Sequence, residues 1–294
     1  MGVSTVVTQR TAGLGTPSWV RRLGWATLLA NIAIVITGGA VRLSGSGLGC
    51  PTWPRCTDKS FTPHGALDLH SAIEFGNRTL TFVLTAIAVA TFVSALSTGR
   101  SDLRRLALLL GLSVPAQAFL GGMTVLTDLN PWVVSFHLLF SMGIISLAVL
   151  YLHRTSQDGR ASIEASARSR PRTHTLAWAT WAVAWVVLAM GTVVTGSGPH
   201  AGDVTAPRNG LDPLQVSQLH ADLVFLLVGL TVALVIVHSS LVTWTLLVVE
   251  LAQGLVGFVQ YFTDLPVVLV GLHLLGASVL MAVVTQTVIS VREG

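Results

Sequence analysis

Residues 117–139 read QAFLGGMTVLTDLNPWVVSFHLL, and residues 253–275 read QGLVGFVQYFTDLPVVLVGLHLL. A shift of 136 positions lays Gln117 on Gln253, Gly121 on Gly257, Thr127-Asp128-Leu129 on Thr263-Asp264-Leu265, and His137-Leu138-Leu139 on His273-Leu274-Leu275, with no gap. Each copy reads as the end of one apolar run, a polar turn, and the head of a second apolar run that carries a histidine. Self-similarity at a fixed distance is the mark of a chain assembled from repeated units. Near the first run, Thr37-Gly38 similarly matches Thr195-Gly196.

Working outward from this pair, the chain contains eight apolar runs, at about 24–41, 78–98, 103–125, 133–152, 175–195, 217–238, 240–260 and 267–289. Each approaches the roughly 20 residues that a membrane-crossing helix needs. Hydrophobic residues make up 52% of the 294 and charged residues only 10%, with a mean hydropathy of +0.72. A soluble domain carries about 25% charged residues. The composition excludes a disordered chain, a basic nucleic-acid-binding domain and a disulfide-rich secreted scaffold. The sequence therefore predicts an all-α membrane protein of eight transmembrane helices.

Lysine and arginine favour the cytoplasmic side. With the N-terminus inside, 12 of the 17 Lys and Arg residues fall on that side, so both termini are expected in the cytoplasm. The first run is long and lacks a cleavage site, so it is expected to stay as an anchor. Residues 153–174 are basic, rich in Ser and Ala, and halve the chain into 1–152 and 175–294. Four spans in each half keep both halves in one orientation. The expected architecture is two tandem four-helix bundles in a parallel pseudo-twofold repeat about the membrane normal. A bundle of this kind can build a cofactor site from facing helices.

A histidine within a span is expensive and usually functional. His137, His220 and His273 stand early in spans 4, 6 and 8, at similar depth below the outer surface. His220 and His273 come from two helices of one half, the arrangement that would hold a haem iron from both faces. The alternative is polar packing between helices. Zinc is disfavoured, because no carboxylate or cysteine joins these histidines at ligand spacing. In the first half, aligning span 2 with span 6 sets Asn77 opposite His220 and Phe82 opposite Phe225. Asparagine is a poor iron ligand, so a haem there would be five-coordinate or would take another ligand, such as His70 or water. The asymmetry suggests one saturated haem for electron transfer and one open haem for chemistry.

Glu74 lies one turn before Asn77, and its repeat counterpart is Ser217. It is either a general acid or base beside a haem edge, or an acid favoured by a helix start. Cys50 and Cys56 stand in CPTWPRC within the outer loop 42–73. They are a loop staple or a redox pair. Gly38, Gly39, Gly121 and Gly122 allow close helix packing or the approach of a flat cofactor. Glu250 and Asp222 serve a proton path or face a polar partner.

These residues resemble the haem A synthase family, the membrane enzymes that follow haem O synthase in making haem A for terminal oxidases. The most specific part is TGGAVRLSGSGLGCPTWPRC at 37–56; IEFGNR at 73–78 is similar to the family's E-x-x-H-R, and the histidines of spans 4, 6 and 8 follow. The resemblance implies two successive hydroxylations of the C8 methyl group of haem O, giving a gem-diol that loses water to leave a formyl group. It implies that His220 and His273 are axial ligands of a haem b and that His137 is the iron ligand of the substrate haem. Glu74 matches the required carboxylate, and Cys50 and Cys56 match the paired loop cysteines of part of the family. Arg78 would pair with a haem propionate or serve as an interfacial anchor. The implied cofactors are haem b and iron. The implied partners are haem O, haem O synthase in a complex, and an electron acceptor or donor that the sequence does not identify, with no nucleic acid. The expected location is the cell membrane. Asn77 departs from the motif, which usually has His there. The rival functions are a b-type membrane electron-transfer protein with one or two haems, and a haem or lipid transporter without chemistry.

Overall fold

A computed structural model describes residues 16–63, 69–156 and 171–293. The inner linker expected at 153–174 therefore lies largely outside the described residues, as do residues 64–68 of the outer loop. The helices are α1 (Pro17–Leu43), α2 (Leu69–Leu96), α3 (Ser101–Leu126), α4 (Pro131–Thr155), α5 (Pro171–Ser197), α6 (Pro213–Val237), α7 (Leu241–Phe262) and α8 (Val267–Glu293). All eight are long and apolar enough to cross a membrane. Each span also leaves apolar residues exposed on its outer side. Leu29, Phe82, Leu112, Phe225 and Ile236 are among the large apolar side chains left on that outer surface. The chain is a multi-pass membrane protein.

The helix starts follow local chemistry. Helices α1, α4 and α6 each open on a proline, whose missing N–H loses nothing in the first turn. Asn130 and Asp212 cap the latter two by accepting backbone N–H bonds from Trp132 and Leu214. Ser240 and Thr243 form a reciprocal capping box at the head of α7. The expected second span begins too late. Helix α2 starts at Leu69, nine residues before the apolar run at 78, so the outer loop ends at 68 rather than 73. Polar residues open this helix because the loop packed against it supplies their partners. Glu74 consequently sits in the second turn of α2, not at its start.

The two Thr-Asp-Leu turns share one backbone conformation. Asp128 and Leu129 have φ of 51° and 59°, and Asp264 and Leu265 have φ of 60° and 57°. Two consecutive left-handed residues without glycine are uncommon. In each turn the leucine N–H closes on the carbonyl five residues back, Leu129 on Thr124 and Leu265 on Gln260, both at 2.8 Å.

Each half closes a ring of neighbours. Helix α1 packs on α2, α2 on α3, α3 on α4 and α4 on α1; the second half repeats the cycle through α5, α6, α7 and α8. The bundles meet where α1 and α4 pack on α8 and where α4 packs on α5. Met142, Ile145 and Ala148 of α4 and Met281 and Val284 of α8 are buried in one hydrophobic cluster, the seam that joins the two halves. Lipid is as apolar as leucine, so polar links and small residues add what area alone cannot. Thr27 bonds Thr91 at 2.9 Å, and Thr285 bonds Ser146 across the seam at 3.1 Å.

Candidate functional site

The outer loop is folded against the top of α2. Cys50 and Cys56 form a disulfide, and both are fully buried. The Cys50 N–H donates to Glu74 Oε2 at 2.6 Å. Arg78, one turn further, donates to Glu74 Oε1 from Nε at 3.1 Å and again from Nη2. The same guanidinium donates to the carbonyls of Cys50 at 2.8 Å, Thr52 at 3.0 Å and Arg55 at 3.2 Å. Glu74 is only 5% exposed, and a carboxylate that deep needs such donors. All three guanidinium nitrogens of Arg78 thus have acceptors within the chain, which places this arginine in a clamp between α2 and the cysteine loop. Gly49 lies so close to the backbone of His70 and Ser71 that a Cβ would overlap it. Ser71 Oγ donates to the Gly49 carbonyl at 2.7 Å, and Ser46 Oγ bonds His70 Nδ1 at 2.9 Å.

Trp53, between the two cysteines, reaches over to α3. Its ring occupies the place where a side chain at position 122 would stand, and it meets Phe119 edge-on with centroids 6.3 Å apart. The second half has Phe258 at the position equivalent to Gly122. The neighbouring glycine, Gly121, faces His137. Leu129, Leu48, Ala201 and Ala206 pack together above, and Gly47 N–H bonds the Gly202 carbonyl at 2.8 Å, so the outer loops of the two halves are joined.

The three span histidines share one environment. His137, His220 and His273 each carry a buried Nδ1 with no hydrogen-bond partner. Each imidazole lies against a glycine of the adjacent helix. A Cβ on Gly121 would stand 3.4 Å from His137 Cε1, one on Gly191 3.2 Å from His220 Cε1, and one on Gly257 3.4 Å from His273 Cε1. The matching glutamines brace the matching histidine turns. Gln253 Nε2 donates to the His273 carbonyl at 2.9 Å, while Gln117 donates to Ser141 Oγ, which donates to the His137 carbonyl at 3.1 Å.

The fourth place in this pattern is Asn77. Its Oδ1 is buried and unpartnered, and its Nδ2 lies 3.9 Å from the Cβ position of Gly38. Gly38 is thus to Asn77 what Gly191 is to His220, a correspondence different from the Thr37-Gly38 match to Thr195-Gly196. Gly191 and Trp53 were not singled out in the sequence. A glycine before a repeated histidine helix could have signalled the former; a tryptophan inside a loop gives no sign of the helix it will meet.

Helices α6 and α8 stand at opposite corners of their ring, as do α2 and α4 of theirs. His220 and His273 therefore come from opposed corners. His137 and Asn77 are the corresponding residues of the first half. The Glu74 bonds run to the cysteine loop and Arg78 rather than to His137. Among the described residues no three His, Cys, Asp or Glu side chains converge on a metal-ion site. One or two histidines suffice only for a metal whose other ligands arrive with it, as a porphyrin provides. Glu250, buried mid-span in α7, accepts from Thr231 at 2.8 Å and leaves its other oxygen without a partner.

The sequence profile of the cytochrome oxidase assembly protein family, COX15-CtaA, matches residues 21–209. The chain is 29% identical over 153 residues to a "Heme A synthase" of Shewanella oneidensis, covering 47% of this chain and 45% of that one. It is 29% identical over 184 residues to a "Heme A synthase" of Symbiobacterium thermophilum, covering 59% of each. It is also 34% identical over 84 residues to a "Protoheme IX farnesyltransferase" of Thermus thermophilus, covering 28% of this chain and 14% of that one. The chain spans about half the length of the curated haem A synthases it matches.

Proposed function

This chain belongs to the cytochrome oxidase assembly protein family, and from that premise we propose that it is a haem A synthase, oxidising the C8 methyl group of haem O to a formyl group. The observation that carries the proposal is the set of three glycine-backed histidines with unpartnered buried nitrogens, two of them on opposed corners of one bundle. A histidine buried within a membrane span is costly and marks a functional site. The glycines leave room for the imidazole rings themselves. These features fit a haem b held between His220 and His273, and a substrate haem O held by His137.

When bound, haem b supplies one-electron chemistry, and its partner outside the chain is the electron acceptor or donor. The protein's own residues do the rest. His137 fixes the substrate haem in the first bundle. Glu74 is the acid–base group: Arg78 and the Cys50 N–H hold its carboxylate in one orientation, ready to take a proton as the methyl carbon is oxidised. Trp53 and the disulfide loop close the outer mouth of this bundle against water. The lipid-facing apolar surface of the helices lets the farnesyl tail stay in the bilayer. Arg22, Arg104, Arg105 and Arg154 lie at the helix ends away from the cysteine loop, which supports cytoplasmic termini in the cell membrane and an outward-facing site. The protein that makes haem O is the expected neighbour in the membrane.

The test is a haem extraction. The chain is co-expressed with a haem O synthase in a host that makes no haem A, and the haems are resolved by chromatography and mass. Haem A or its hydroxymethyl precursor is expected. Haem O alone beside haem b, from correctly folded protein with its electron partner present, would exclude the synthase and leave an electron-transfer protein.

A further inference from the structure

Four positions in the two bundles are alike: His137, His220, His273 and Asn77. Each lies against a glycine of a neighbouring helix and carries one buried polar atom without a partner, which at Asn77 is Oδ1, the Nδ2 being the atom near Gly38. Three of them carry an imidazole, which reaches one bond further from the backbone than a carboxamide. At Asn77 the glycine contact is correspondingly looser, 3.9 Å against 3.2 Å at His220. The first bundle thus has an iron-binding side chain on one corner only, and a short polar group on the opposed corner.

We propose that Asn77 does not ligate iron, but lines an open sixth position opposite His137 and hydrogen-bonds a small neutral ligand bound there. The inference rests on the first-half haem site of the preceding section. An amide oxygen is a hard, neutral donor and is absent from the usual set of haem ligands. The carboxamide is, however, well suited to hold a small ligand by one hydrogen bond: Oδ1 accepts from a water molecule, and Nδ2 donates to a diatomic ligand. His70, the other candidate for the sixth position, is already bonded through Nδ1 to Ser46, and its backbone is packed on Gly49 at the outer end of α2. It lies seven residues, two helical turns, before Asn77. The second bundle has histidine on both opposed corners, so a haem held there would be closed to added ligands. The two halves differ in ligand access because of a single side chain.

The experiment uses the full chain, purified in detergent after co-expression with a haem O synthase, with carbon monoxide as the probe. The ferrous protein is titrated with carbon monoxide and followed by visible and infrared spectroscopy. The low-spin band of the His220–His273 haem reports folding in every variant. Wild type is expected to bind carbon monoxide at one haem, and His137→Ala to lose that binding. Asn77→His is expected to abolish the carbon monoxide complex and add a second low-spin haem. Asn77→Val is expected to keep the complex, move the bound carbon monoxide stretch, and speed dissociation by roughly three- to tenfold, the range one hydrogen bond carries. A His137-dependent haem that refuses carbon monoxide in wild type overturns the Asn77 assignment alone. So does an unchanged stretch and dissociation rate in Asn77→Val. The absence of any His137-dependent haem overturns both this inference and the first-half haem site beneath it.

Discussion

Replacing Arg78 by glutamine should release the cysteine loop while leaving the helices in place. Arg78 is 22% exposed and Glu74 only 6% by side chain, so the pair sits at the edge of the protein interior. Removing one member of a buried pair costs about 3–5 kcal/mol, chiefly because the other charge is left uncompensated. The partial exposure of Arg78, and the single bond a glutamine can still make, put the expected loss near the lower end, about 3 kcal/mol. At 1.36 kcal/mol per tenfold, the open population of the loop rises roughly 150-fold. The reporter is the Cys50 amide, whose N–H points at Glu74 Oε2 from 2.6 Å. Its hydrogen exchange should accelerate by that factor, while amides in the seam near Ile145 and Met281 keep their protection. Making Glu74→Gln together with Arg78→Gln removes the stranded charge, so the double variant should exchange less than Arg78→Gln alone. Unchanged Cys50 exchange in Arg78→Gln would refute the clamp. A double variant no slower than the single would show that the charge pair is not what holds the loop.

Glu74→Gln alone keeps an acceptor for the Cys50 N–H, and the Arg78 it leaves uncompensated is partly exposed and still bonded to the carbonyls of Cys50, Thr52 and Arg55. The helices and the second-half haem should therefore survive at a lower cost than in Arg78→Gln, while haem A formation falls by about a hundredfold or more, as expected for loss of an acid–base group. Full haem A production in that variant would remove the assigned role. Gly191→Val should force side-chain atoms into the His220 ring, since even a Cβ there stands 3.2 Å from Cε1. An overpacked site of this kind costs about 1–3 kcal/mol, and haem b content per chain should fall. Gly229→Ala, with open space around its Cβ, is the matched control and should retain full content.

The repeat at 117–139 and 253–275 was legible because it rests on local chemistry. The Thr-Asp-Leu turns, the histidines that follow and the bracing glutamines all recur at the same offset, and the structure gives both turns the same left-handed backbone. Apolar runs marked all eight helices for the same reason: length and hydropathy are properties of a segment. The start of α2 was not legible, because Leu69–Asn77 is too polar for lipid and is helical through its contacts with the loop. Glu74 was legible from its place before Asn77 and Arg78 stands four residues on, but its other partner, the Cys50 N–H, lies 24 residues back in a segment without periodicity. Gly191 carries a weaker signal: like Gly121 and Gly257 it stands on the helix before a histidine, but it is one glycine among 28 and lies outside the ungapped repeat. Trp53 carries no such signal: its counterpart on α3 is an absence of side chain.

The central claim is that two histidines on opposed corners of the second bundle hold one haem, independently of the first bundle. Reduced-minus-oxidised spectra of purified His220→Ala, His273→Ala and His137→Ala test it most directly. The account predicts that the low-spin haem b signal disappears in either of the first two and survives in the third. A normal low-spin signal in His220→Ala, or its loss in a folded His137→Ala, would contradict it.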